Sequence, residues 1–273
     1  MAKRVVSSLI GVAILLGVYL LKNDVVFNIA VVVISILGLN EFYHAVKQKG
    51  IKPIETIGYI FCILIGFVGF VDDGKVLIPC LVLTMPILFF ILAFISVLSN
   101  LKISFNDIAS TILGIVYVPM MMLFLILTWH MNNGYLLVWF IFAGAWMTDI
   151  FAYLVGIAIG KHKFSKVSPN KSIEGCIGGL LGCAVFYGLY SAYLNNNFIV
   201  ELGTEFNITL MTILGVFISL ISQIGDFFAS SIKRHCDIKD FGGIMPGHGG
   251  ILDRFDSIIM ISPFVYILFE FVI

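Results

Sequence analysis

Charge is scarce in this chain of 273 residues: Asp, Glu, Lys and Arg make up 12% of it, against 60% hydrophobic residues, and the formal net charge is zero. A soluble globular domain carries about 25% charged residues, so that class is excluded, and no nucleic-acid partner is expected. The five cysteines, Cys62, Cys80, Cys176, Cys183 and Cys236, include no CxxC pair, and four of them lie inside apolar runs. There Cys behaves as a small hydrophobe, so neither disulfides nor zinc are expected. Ten-residue segments of alternating polarity are absent, which excludes a transmembrane barrel. A Gly-x-x-x-x-Gly-Lys-Ser/Thr loop is absent too, which excludes a Walker A phosphate site. No soluble domain, linker, low-complexity tract or internal repeat interrupts the chain. Leu21-Lys22-Asn23-Asp24, after the first apolar run, lacks a small-residue cleavage site, so that run is expected to be a retained helix.

What is present is apolar length. With a mean hydropathy of +1.08, most of the chain divides into runs of about 17 to 25 residues, enough for a helix to cross a bilayer. The runs fall near 5–21, 25–40, 54–71, 76–98, 108–129, 135–159, 174–194, 207–230 and 256–273. The expected fold is all-α, a polytopic integral membrane protein with about nine transmembrane helices and a cytoplasmic N-terminus. Of the 16 Lys and Arg residues, an N-in arrangement leaves only Lys22 and Lys75 outside, as the retention of basic residues in the cytoplasm requires. Residues 1–273 are expected to form one membrane domain, 1–134 mainly as helical scaffold and 135–273 as the half that bears the motifs.

Asp149 falls within one of these runs, Asp226 near the end of another, and Glu174 and Asp256 at the starts of two more. An acidic side chain at a helix centre costs about 2.5–3.5 kcal/mol on insertion scales, so each is a functional candidate, with interfacial snorkelling or a structural ion pair as the alternative. Tyr153, Gly156 and Gly160 share the helical face of Asp149, which suggests a packed, lined cavity. Gly175, Gly178, Gly179 and Gly182 form overlapping small-xxx-small pairs, expected to serve helix packing.

The stretch 225–256 mixes three chemistries. Asp226, Asp253 and Asp256 offer oxygen ligands suited to Mg²⁺. Lys233, Arg234, Lys239 and Arg254 can meet phosphate oxygens. The run Gly242-Gly243-Ile244-Met245-Pro246-Gly247-His248-Gly249-Gly250 lets backbone N–H groups approach an anion. His248 reads equally as a phosphate donor or as a residue that structures the loop. Acids, basic residues and flexible backbone beside membrane helices point to metal-assisted phosphoryl or nucleotidyl transfer onto a lipid.

Ser230-Ser231-Ile232-Lys233-Arg234, Lys239-Asp240 and Pro246-Gly247-His248-Gly249-Gly250-Ile251-Leu252-Asp253-Arg254-Phe255-Asp256 together resemble the signature of phosphatidate cytidylyltransferases. Two upstream blocks agree, Asp149-x-x-Ala152-Tyr153-x-x-Gly156 and Ser168-Pro169-Asn170-Lys171-Ser172-Ile173-Glu174-Gly175. Ile173 stands where the family usually has Trp, and Met245 where Leu, Ile or Phe is typical; neither position carries ionisable chemistry. The resemblance implies that CTP and phosphatidic acid give CDP-diacylglycerol and pyrophosphate at the cytoplasmic side of the plasma membrane. It implies Mg²⁺ on Asp226 and Asp253, a second cation such as K⁺, and Asp149 and Asp256 nearby. Lys171, Lys233, Lys239 and Arg254 would neutralise phosphate charge. Ser168, Ser172, Glu174, His248, Gly249 and Gly250 would line the nucleotide and phosphate site, and the assembly would be a homodimer. Two rival readings are a CTP-dependent polyprenol or phytol kinase, which would need a base for its hydroxyl acceptor, and a transporter using the buried acids for coupling ions. The Asp-Gly-x-x-Ala-Arg motif of CDP-alcohol phosphotransferases is absent.

Overall fold

The computed structural model describes residues 11, 13–68, 70, 74–100, 102–164, 168, 171–244 and 249–271, of which 74–82 by backbone alone. Among the described residues there are helices and no strand. They are α1 (Asp24–Lys47), α2 (Glu55–Val68), α3 (Gly74–Leu98), α4 (Phe105–Ile115), α5 (Met121–His130), α6 (Gly134–Ile159), α7 (Ile173–Leu202), α8 (Ile208–His235) and α9 (Leu252–Phe271). Helical backbone also covers 13–20. A π turn, Val116–Met120, joins α4 to α5 without a break. Pro119 lies inside it, and a residue with no N–H fits the widened turn.

Five helical stretches are long and apolar enough to cross a membrane: Asp24–Lys47, Phe105–His130, Gly134–Ile159, Ile173–Leu202 and Ile208–His235. Helices α2 and the described part of α3 are apolar but shorter. The start of α9 carries Asp253, Arg254 and Asp256, charges that belong at an interface or in a protein interior.

Helix ends follow local chemistry. Asn23 caps α1 by accepting from the N–H of Val26 at 3.1 Å. Ser104 and Asp107 form a reciprocal capping box on α4, as Ser-x-x-acid sequences do. Ser172 caps α7, accepting from the N–H of Gly175 at 3.1 Å.

The described chain forms two compact units, 1–127 with 236–254, and 128–235 with 255–273. In the first, Tyr43 of α1 is fully buried, and its hydroxyl donates to the Thr111 carbonyl at 3.3 Å. Gly58 and Gly114 give that ring room, since a Cβ on either would collide with it. In the second, α7 packs against α6 and α8. Cβ atoms on Gly175, Gly178, Gly179 and Gly182 would strike Ala152, Val155, Thr148 and Phe151 of α6, so these glycines serve helix approach as the sequence pattern suggests. Thr148 donates to Ser219 at 2.9 Å and Gln223 to the Cys176 carbonyl at 3.1 Å, satisfying buried polar groups.

Candidate active site

In the second unit, acids from three helices meet near one level. Asp256, at the start of α9, is 7% exposed and lies within electrostatic reach of Asp226 on α8, Asp149 on α6 and Lys233 on α8. The backbones of α8 and α9 approach closely here: a Cβ on Gly225 would lie 2.8 Å from Met260 Cγ and 2.9 Å from the Asp256 carbonyl. Ser230, one turn beyond Asp226, is at 3.5 Å from Asp226 Oδ1. The ammonium of Lys171 pairs with Asp226 Oδ2, each side chain being 26% exposed, and sits 4.8 Å above the Phe227 ring. Phe164 stacks on Phe227, with centroids 4.7 Å apart and an interplanar angle of 15°.

The connection that delivers Lys171 is pinned at its base. Phe164 donates its N–H to the Lys171 carbonyl at 3.0 Å, and Ile173 donates to the His162 carbonyl at 2.9 Å. Glu174 accepts from the N–H groups of Lys161 and His162 and lies 2.6 Å from His162 Nδ1. Its carboxylate therefore anchors the start of this connection. Ser168 is half-buried, and its carbonyl accepts from Lys171 N–H at 3.2 Å. Ser172 is buried against Gly156 of α6 and Gly160 just past its end, so the glycines below Asp149 seat the cap of α7.

Lys233 and Arg234 occupy the last turn of α8, where the sequence places them in a connecting segment. Hydropathy marks where a helix leaves the lipid; the backbone ladder runs on, and basic residues at its carbonyl end are favoured by the helix dipole. Lys239 and Arg254 are exposed, and Asp253 is half-buried. His248 lies outside the described residues.

Asp253 belongs to the first unit, where its Oδ2 accepts from Phe241 N–H at 2.8 Å and Gly250 N–H at 3.0 Å. Gly249 has a φ of +86°, and a Cβ there would lie 2.9 Å from Asp253 Oδ2, so both the left-handed backbone and the close approach require glycine. The sequence assigns Gly249 and Gly250 to phosphate; among the described contacts, Gly250 N–H is taken by Asp253. A second carboxylate closes on the same loop. Glu41 of α1 is 4% exposed and accepts from Ile251 N–H at 3.0 Å and Leu252 N–H at 2.8 Å. Sequence reasoning passes over Glu41 because the second apolar run ends at residue 40; the signal for it was an acid inside a helical pattern that continues to Lys47.

A family model described as the Cytidylyltransferase family matches residues 2–272. The chain belongs to the cytidylyltransferase family. It is similar to a phosphatidate cytidylyltransferase of Staphylococcus aureus (strain COL), 34% identical over 274 residues. Enzymes of the same name from Staphylococcus saprophyticus and Staphylococcus epidermidis (strain ATCC 35984) are 34% and 32% identical over 272 and 270 residues. Each alignment covers 98% of this chain and 98% of the relative. A cytidylyltransferase is a nucleotidyltransferase that uses CTP, and here it is built on apolar helices fit for a membrane.

Cation chemistry fits the acids of the second unit. Asp226 already holds a positive group, the Lys171 ammonium, with the carboxyl groups of Asp256 and Asp149 nearby. Among the described residues no three His, Cys, Asp or Glu side chains are gathered closely enough to bind a metal by themselves. Mg²⁺ needs only one or two carboxylates, completing its shell with water and substrate phosphate.

Proposed function

We propose that this chain is a phosphatidate cytidylyltransferase, which converts CTP and phosphatidic acid into CDP-diacylglycerol and pyrophosphate. The observation that carries the reading is the 34% identity, over 98% of both chains, to the S. aureus enzyme of that name. A phosphatidate oxygen attacks the α-phosphorus of CTP. The bond from that phosphorus to the oxygen bridging the α- and β-phosphates breaks, and its electron pair leaves with pyrophosphate. A phosphate monoester carries a charge of about −1.5 to −2 at pH 7, so the attack needs no strong base. Catalysis then rests on alignment and on neutralising charge.

In this reading Lys171, Lys233, Lys239 and Arg254 take up phosphate charge. Ser168, Ser172 and His248 donate hydrogen bonds, and Glu174, Gly249 and Gly250 shape the loops that hold the nucleotide. Asp226 and Asp253 are the carboxylates for Mg²⁺, Asp149 and Asp256 support Asp226, and a second cation such as K⁺ completes the centre. Because the two carboxylates belong to different compact units, their pairing is argued from the sequence resemblance. Mg²⁺ bound to them supplies positive charge to the phosphate oxygens. The enzyme is a homodimer of nine-span chains in the plasma membrane, N-terminus and site facing the cytoplasm.

The test uses purified protein in detergent with phosphatidic acid, Mg²⁺ and CTP labelled at either the α- or the γ-phosphate. Cytidylyl transfer puts α-label into lipid and γ-label into pyrophosphate. γ-Label in an added polyprenol acceptor, with no α-label in lipid, would overturn the reading in favour of a lipid kinase.

A further inference from the structure

Glu41 is buried in a helix of a membrane protein, a location that demands partners for its charge. Each carboxylate oxygen has one: Oε1 accepts from Ile251 N–H and Oε2 from Leu252 N–H. These are donors that the beginning of a helix leaves without an intrahelical acceptor, and a negative group there also meets the favourable end of the helix dipole. The arrangement reshapes its surroundings. A Cβ on Gly242 or on Gly250 would overlap the Glu41 carboxylate, and a Cβ on Gly38, one turn before Glu41, would touch the Leu252 side chain at 3.7 Å.

A Ser, Thr or Asp next to α9 would cap it with far less desolvation. A carboxylate from a distant helix adds something a local cap cannot: it ties the loop to α1. Asp253 is the residue after the clamped pair, and its own carboxylate turns back to Phe241 and Gly250 N–H. Two acids thus grip the same short segment from opposite ends of the chain.

We infer that Glu41 is a positioning residue for cytidylyl transfer: it clamps the first turn of α9 and the preceding glycine loop, and so fixes the direction in which Asp253 points. The inference rests on the function proposed above and adds a residue outside its motifs. Glu41→Gln keeps the volume but sets an amide NH₂ against one backbone N–H. Supporting groups of this kind typically change activity or metal affinity by about 10- to 100-fold.

The experiment measures kcat, KM for both substrates and the Mg²⁺ concentration for half-maximal rate, for wild type, Glu41→Gln and Glu41→Asp, each corrected for folded fraction by size exclusion in detergent. The expected result is a kcat lowered about 10- to 100-fold in Glu41→Gln with a raised Mg²⁺ requirement, an intermediate effect in Glu41→Asp, and an unchanged KM for phosphatidic acid. A lower thermal midpoint with unchanged kcat and Mg²⁺ requirement would mark a purely structural cap and overturn the inference. Hydrogen exchange on the wild type serves if Glu41→Gln does not fold: slow exchange at Ile251 and Leu252 supports the clamp, and exchange as fast as an open loop overturns it. Wild-type protein that transfers no α-label to phosphatidic acid would overturn the proposed function itself, whereas an active wild type with indifferent variants overturns only the role of Glu41.

Discussion

Asp253 holds its own loop through Oδ2, which accepts from Phe241 and Gly250. An Asn at this position could still accept those bonds through its carbonyl oxygen, while losing the charge that a cation needs. Asp253→Asn should therefore abolish turnover and leave elution volume in detergent and thermal midpoint close to wild type. Retained turnover at saturating Mg²⁺ would remove Asp253 from the metal site. At this scale the sequence discloses residue types well: Asp149, Asp226 and Asp256 stand out as acids in apolar surroundings, and the structure places them in one unit with Asp256 in electrostatic reach of the other two. It does not disclose Glu41, whose partners lie 210 and 211 residues away. No periodicity or local motif encodes a contact of that range. The ion pair of Lys171 with Asp226 is hidden for the same reason.

Helices α6, α7 and α8 owe their contact to small residues. The run expected at 135–159 matches α6, Gly134–Ile159, because a Gly start and a Gly160 end coincide with the limits of apolar sequence. The runs at 174–194 and 207–230 fall short of α7 and α8, which continue to Leu202 and His235. Hydropathy ends where polar residues begin, yet Asn195 to Asn197 and Lys233 to His235 remain helical because each turn still closes its backbone bonds. The packing itself is testable. A Cβ on Gly182 would overlap the Phe151 ring, and overpacking typically costs about 1–3 kcal/mol. Gly182→Ala should lower the thermal midpoint measurably. Gly17→Ala, where a Cβ meets nothing within 4 Å, should leave it unchanged or raise it, since Ala is the better helix former by about 1 kcal/mol.

For the whole molecule, the proposed topology puts Lys22 outside and Lys163 inside. Four of the five native thiols are a quiet background for testing it, since Cys62, Cys176, Cys183 and Cys236 are buried; Cys80 is first replaced by Ser. Burial pushes the Cys236 thiol up from its ordinary value, which lowers its reactive thiolate fraction near neutral pH. With a membrane-impermeant maleimide, Lys22→Cys should react in intact cells and Lys163→Cys only after permeabilisation. The reverse pattern would invert the topology, and labelling of both in intact cells would break the span count. The contact of Glu41 with α9 also has a meaning in time. Chains grow at about 5–20 residues per second, so the donors 210 residues downstream are synthesised roughly 10 to 40 s after Glu41. Throughout that interval the nascent protein carries a carboxylate whose two native partners do not yet exist. Helix α9 is therefore the element whose synthesis completes the first unit, and a ribosome that stalls before residue 251 leaves the acid of α1 exposed to whatever surveys unfinished membrane proteins.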